Sequence, residues 1–214
     1  MAKSKHAAEY LRPGKIVLIS SPSGGGKTSL CKRLLSPGRK KEGWKFSISF
    51  TTRQKRKGER NGKEYYFVDD QQFRALIGKD YFAEHFKVHL YRYGTPRKTI
   101  ESTIEKGGVL LLDIDVKGAL KIKREYPDAI TIFVLPPSIT ALKKRLKARG
   151  TETSEQLKVR FENAKKEMKL YRKFEYTIIN DILNQAVNEV LGCIASHHCS
   201  RKNLKVEQIK KIIG

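Results

Sequence analysis

A chain of 214 residues is long enough for one substantial core with a small inserted lobe, and too short for several independent domains. Hydrophobic residues at 39% beside charged residues at 31% exclude a disordered chain, and no apolar run reaches the length needed to cross a bilayer. Lys+Arg 45 against Asp+Glu 22 gives a net charge of +23, enough to draw any polyanion at low salt, so nucleic acid is a rival partner from the outset.

Met1 to Arg12 is polar and basic without an apolar centre, unlike a signal peptide. Cys31, Cys193 and Cys199 form neither a CxxC pair nor an even framework, which suits reduced thiols, and the expectation is a cytoplasmic protein. Ile16 to Ile19 then reads as a buried strand, and directly behind it stands SSPSGGGKTSL, Ser20 to Leu30. The Walker A pattern asks for Gly, four free positions and Gly-Lys-[Ser/Thr]. Ser21, then Pro22, Ser23, Gly24 and Gly25, then Gly26-Lys27-Thr28 supply all of it except the first glycine. Ser21 is a departure at a position that often needs an unusual backbone angle. Without Cβ atoms, Gly24, Gly25 and Gly26 let successive amides turn inward around an anion, and a helix starting near Thr28 and Ser29 adds its positive end. Lys27 then places a compact cation on the phosphates, and the Thr28 hydroxyl belongs to a Mg²⁺ shell.

Apolar residues at Leu30, Cys31, Leu34 and Leu35 continue the helix, which Ser36-Pro37-Gly38 ends. Lys45 to Phe50 alternates as one strand and leads into Thr51-Thr52-Arg53-Gln54-Lys55-Arg56. Arg53 and Arg56 are spaced to converge on one phosphate, which suits the planar guanidinium fork. From Gly58 to Tyr93 the texture changes to short β pieces, Glu64 to Val68 and Tyr81 to His89, around a helix at Asp70 to Gly78. This is the signature of an inserted lobe. Tyr65 and Tyr93 add hydroxyl donors there, while Glu84 and Ser49 offer what a guanine base requires: acceptors for N1–H and the exocyclic amine, and a hydroxyl for O6.

Regular alternation resumes with a helix at Lys98 to Lys106 and the apolar run Val109 to Leu112, which closes on Asp113-Ile114-Asp115. Asp113 fits a Walker B acid that steadies Mg²⁺ or its waters. Then come helix Val116 to Glu125, strand Ala129 to Leu135, helix Ser138 to Arg149, a polar break at Gly150 to Thr153, helix Ser154 to Arg172, strand Tyr176 to Asn180 and helix Leu183 to His197. Strands separated by helices predict an α/β fold with a doubly wound parallel sheet and ligands at the carboxyl ends of its strands.

Taken together, the blocks SPSGGGKTSL, SFTTRQKRKGERNGKEYYFV, AEH followed by YRYGT, LLLDIDVKGAL, FVLPPS and KKRLKARGTETSEQLKVR resemble the guanylate kinase family, from about Gly14 to His197. The resemblance implies transfer of phosphate from ATP, with Mg²⁺, to GMP and dGMP. It implies a domain over 14–199, with a core at 14–45 and 98–199, a mixed-β GMP-binding lobe at about 46–97 and a helical lid at about 147–160, followed by a basic tail at 200–214. Carried over by motif, Ser49, Glu84, Thr95 and Asp115 correspond to guanine-site positions, and Arg53, Arg56, Tyr65 and Tyr93 to contacts with the GMP phosphate. Arg149 and Arg160 correspond to arginines that reach the transferring phosphoryl group beside Lys27. Departures from the family pattern are Lys55 in place of a proline, which is expected to loosen the loop of Arg53 and Arg56, Lys87 after the Glu84-His85 pair, Pro96 after Thr95, and Ile182 in the late Asn-Asp motif.

Two other classes stand beside this reading: a non-catalytic guanylate-kinase-like binding module, and a basic nucleic-acid-binding protein. Retention of Lys27, Thr28, Asp113 and both lid arginines, Arg149 and Arg160, speaks against the first, and the scatter of the basic residues against the second, so no specific nucleic acid is expected. A monomer and a homo-oligomer both remain open. His85 reads as structural, Tyr65-Tyr66-Phe67 as a sheet with one buried face, and Trp44 as core or strand edge.

Overall fold

The computed structural model describes residues 14–88, 90–148 and 154–200. Strand β1 (Lys15–Ser20) is buried along its whole length, and helix α1 (Lys27–Leu34) follows the glycine loop. β2 (Trp44–Phe46), β7 (Val109–Asp113), β8 (Ile130–Leu135) and β9 (Tyr176–Ile179) join β1 in a five-stranded parallel sheet of order β2-β7-β1-β8-β9. The chain departs from β1 to one side and later returns to the other, so the crevice at the carboxyl end of β1 is a topological switch point.

Both faces of this sheet are covered, which is why its central strands are continuous apolar runs. Val17, Ile19, Leu111, Ile132 and Val134 face one way, against Leu30 and Leu34 of α1 and Val187, Val190 and Ile194 of α8 (Leu183–Cys199). Ile16, Leu18, Leu110, Leu112 and Phe133 face the other way, against Ile100 of α4 (Arg97–Glu105) and Ala119 and Ile122 of α5 (Val116–Glu125). The period-2 alternation of a strand sorts neighbouring residues into these two cores. A third, small cluster joins Leu142 and Leu146 of α6 (Ile139–Lys147) to Ala164 of α7 (Ser154–Met168).

A second sheet of order β4-β3-β6-β5 is built from β3 (Phe50–Thr51), β4 (Tyr66–Phe67), β5 (Phe82–Val88) and β6 (Tyr91–Pro96), with α3 (Asp70–Gly78) beside it. It is mixed: β3 runs parallel to β4 and antiparallel to β6. Asp69 and Gln72 form a capping box at the start of α3, and Phe73 of that helix stacks on Phe82 at 4.7 Å.

Several element boundaries differ from expectation. Lys45 to Phe50 is not one strand. The amide of Ser47 still donates to Leu111 O in the first sheet at 2.9 Å, whereas Ser49 O accepts from Tyr66 in the second at 2.9 Å, so the chain changes sheets at Ile48. Ser36-Pro37 does not simply end a helix: the Ser36 side chain caps α2 (Pro37–Lys41), with Pro37 at its first position. α7 stops at Met168 and gives way to a 3₁₀ turn, Lys169–Lys173. Among the described residues, no helix is long and apolar enough to cross a membrane. The polar break after α6 and the basic tail at 201–214 lie outside the described residues.

Candidate active site

The phosphate loop owes its shape to two left-handed glycines, Gly24 at φ +86 and Gly26 at φ +89. A Cβ on Gly26 would also collide with Asn180 Nδ2, so this position is closed to other residues by both backbone angle and space. Ser21 needs no such freedom: no positive φ is found there, and its hydroxyl donates to Pro22 O at 3.1 Å, which removes the difficulty its identity raised. Lys27 Nζ lies 2.7 Å from Asp113 Oδ1 and donates to Ile114 O at 3.0 Å. Thr28 Oγ1 donates to Asp113 Oδ2 at 3.3 Å, while Ser29 is exposed in the first turn of α1. Register explains this meeting: β1 and β7 pair in parallel with Ile19 opposite Asp113, so the loop leaving one strand faces the acid ending the other.

Of the two predicted arginines of the transferring step, Arg160 donates to the Ser23 hydroxyl at 2.7 Å, which brings α7 against the loop. Arg149 lies outside the described residues. Two residues that sequence reasoning did not assign also meet the loop. Asn180, after β9, donates to Gly25 O at 3.1 Å, and its own carbonyl accepts from Arg145 at 2.8 Å. Arg145 Nη1 is buried with no partner among the described residues, beside Gly26, so it is a cation held ready for an anionic or polarisable group. Arg145 lies within the lysine- and arginine-rich run of α6, which hid it from a reading by composition.

A cleft of about 1020 Å³ runs from Thr28 and Asp113 past Ser49, Arg53, Arg56, Tyr65 and Tyr93. Arg53 is buried, with its guanidinium 5.4 Å from the Tyr65 ring centre, and it donates to Glu59 Oε1 at 2.8 Å and Gln54 O at 2.8 Å. The other oxygen of Glu59 accepts the Arg56 amide at 2.9 Å. Glu59 therefore ties together the loop that Lys55 was expected to loosen. Its carboxyl is held below the usual range, chiefly by its bond from Arg53. Burial pushes the Tyr65 phenol up to about 12, so it remains a donor at neutral pH.

Glu84 and Thr95 form a neighbouring buried pair, with the half-buried Asp115 nearby. Two residues of β5 oppose one of β6 between Phe82 and Glu84, and this bulge sets Glu84 opposite Thr95. Glu84 is 2% exposed. Its Oε1 accepts from the Thr95 hydroxyl at 2.5 Å, whereas Oε2 is buried without a partner among the described residues. Burial, with the Asp115 charge adding, raises its carboxyl to about 7. Asp115 caps α5 through the Gly118 amide at 2.8 Å, and burial raises its carboxyl as well. Tyr93 and Thr95 lie two apart on β6 and so share a sheet face, which joins this group to the cleft. Among the described residues no hydrogen bond ties the Ser49 hydroxyl to Glu84, and Ser49 lines the cleft while Glu84 lies outside its lining. His85 belongs to no metal-binding group: among the described residues, no three His, Cys, Asp or Glu side chains cluster to hold an ion.

A glycine loop between the central parallel strand and its helix, faced by an acid at the end of the next strand, makes this a P-loop nucleotide-binding α/β protein. The guanylate kinase family profile matches residues 13–197. The guanylate kinase of Caldanaerobacter subterraneus subsp. tengcongensis is 40% identical over 88% of this chain and 90% of its own, and that of Clostridium acetobutylicum is 40% identical over 93% and 91%. The crystal structure of the guanylate kinase from Anaplasma phagocytophilum is similar at a TM-score of 0.76 and 29% identity, covering 92% of this chain and 93% of that one. The chain belongs to the guanylate kinase family.

Proposed function

We propose that this protein transfers the γ-phosphoryl group of ATP to GMP, and to dGMP, giving ADP and the guanosine diphosphate. The observation that carries this reading is the buried Oε2 of Glu84, without a partner among the described residues, opposite Thr95 on the strand whose Tyr93 lines a cleft that ends at a phosphate loop. An orphan acceptor at such depth costs free energy unless a ligand supplies donors, and guanine offers two, N1–H and the exocyclic amine. Arg53, Arg56, Tyr65 and Tyr93 hold the acceptor phosphate, and Thr95, Asp115 and Ser49 complete the base site.

The Ser21 to Ser29 loop holds the donor phosphates. Thr28 and Asp113 present hard oxygens close together, a set that fits Mg²⁺ held through its waters. The metal, when bound, supplies charge neutralisation at the donor phosphates. Lys27 leaves Asp113 for the β- and γ-oxygens, and Arg160 and Arg149 offset charge on the transferring group. No general base is required, because the GMP phosphate oxygen is already a nucleophile at neutral pH. The reaction is read as cytoplasmic, a reading supported by the free cysteines Cys31, Cys193 and Cys199.

An ADP-release assay with GMP, dGMP, AMP and UMP tests the proposal. Turnover with the guanine nucleotides and none with the others is expected, and equal rates with AMP would refute it. The acceptor loop makes a second expectation. Glu59→Ala frees both the Arg53 guanidinium and the Arg56 amide, so the KM for GMP should rise about tenfold with the KM for ATP little changed. Parallel rises in both constants, measured in the same assay, would place Glu59 outside the acceptor site.

A further inference from the structure

The face of α7 that carries Arg160 holds another charged residue to which the scheme above gives no part. Arg160 and Glu167 stand seven positions, or about two turns, apart, with the buried Ala164 between them. Both side chains grip a single residue of the phosphate loop. Arg160 donates to the Ser23 hydroxyl at 2.7 Å, and Glu167 Oε2 accepts the Ser23 amide at 3.1 Å. That amide belongs to the Pro22–Ser23 peptide, one residue ahead of the left-handed turn at Gly24, so holding it anchors the approach to that turn.

Packing agrees with the polar contacts. A Cβ on Gly24 would lie 3.0 Å from Leu142 Cδ1 and 3.2 Å from Leu146 Cδ2, and these two leucines form the small core with Ala164. Loop, α6 and α7 therefore pack against one another as one unit. The negative charge of Glu167 opposes an incoming triphosphate, so any favourable contribution must come from the bond it makes.

We infer that Glu167 is a positioning residue: its carboxylate holds the Ser23 amide and keeps α7 seated on the phosphate loop, so that Arg160 leaves the Ser23 hydroxyl for the transferring phosphoryl group from a fixed base. This rests on the proposed role of Arg160 and deepens it.

Hydrogen exchange and kinetics on the full chain separate the two levels. In Glu167→Ala, exchange at the Ser23 amide should rise about tenfold or more, the factor that a lost charge-assisted bond corresponds to. The KM for ATP should rise and kcat should fall, each several-fold, with the KM for GMP held within about twofold. Glu167→Gln keeps an accepting oxygen and should retain both the protection and most of the activity. Unchanged Ser23 exchange in Glu167→Ala, a Gln variant as impaired as the Ala variant, or equal rises in both KM values would each overturn the inference. Lost protection with wild-type kcat and KM for ATP would overturn the role in transfer. Should the wild-type protein fail to phosphorylate GMP, the proposed function falls, while the exchange arm still reads the Ser23 contact.

Discussion

Lys27→Ala is expected to lower kcat by about 10²–10³-fold or more, the cost of losing one preorganised charge at a developing transition state. The lysine has no place in either main core. Its ammonium lies at the loop with a side chain 17% exposed, paired to Asp113 and to the Ile114 carbonyl. Removing it leaves Asp113 with the Thr28 hydroxyl and partial access to water, so the melting temperature should move by only a few degrees, on the scale of about 1 kcal/mol. Lys27→Arg should fail too, because a planar guanidinium does not fit a cradle shaped for a compact cation. Steady-state rates beside a thermal melt check both points. Near-wild-type turnover with a native melt would remove Lys27 from the reaction.

The second large effect is expected at Glu84. Two charge-assisted hydrogen bonds from guanine to this carboxylate contribute about 3–6 kcal/mol together, so Glu84→Gln, which keeps only one acceptor and turns a donor toward the base, should lower kcat/KM for GMP by about 10²-fold or more. Adenine presents an acceptor at N1 and no amine at C2, so the wild-type carboxylate repels it while the glutamine amide can donate to it. The preference for GMP over AMP should therefore narrow from both sides. An unchanged preference would show that Glu84 does not read the base.

The same carboxyl predicts a pH signature. With burial raising its pKa to about 7, GMP capture should weaken as pH falls through 7, because the protonated group loses an acceptor. In Glu84→Gln that limb of the kcat/KM profile should be flat. Stability carries the opposite sign. The folded chain retains a proton that the unfolded chain releases, so this residue makes the fold less stable as pH rises from the ordinary carboxyl range through 7. Above that window Glu84→Gln should melt no lower than the wild-type chain.

Some of this was legible residue by residue. The apolar runs of β1 and β7 end in a glycine loop and in Asp113 because phosphate cradling and charge placement demand those residue types at those spacings. Element boundaries near the crossing of the two sheets were not legible. Lys45 to Phe50 alternates correctly for a strand in either sheet, and local pattern contains nothing that marks the exchange of partners at Ile48. Glu59 was missed for a related reason: an acid among lysines and arginines looks like a solvated surface residue until the Arg53 guanidinium and the Arg56 amide are seen to share its two oxygens.

By itself the sequence determined the phosphate loop and the α/β alternation, because backbone freedom, charge type and periodicity are local properties, while its motif blocks gave the resemblance from which the guanine-site residues are proposed. The tertiary structure alone decided which residues are poised. A register shift in β5 sets Glu84 opposite Thr95, where one of its oxygens has no donor among the described residues; the parallel pairing of β1 with β7 sets Lys27 on Asp113; and the packing of α7 on α6 brings Arg160 and Glu167 to Ser23. Those contacts join residues as far as 144 positions apart, and burial, which makes an unpaired oxygen costly and a carboxyl basic, exists only once the chain has closed around it.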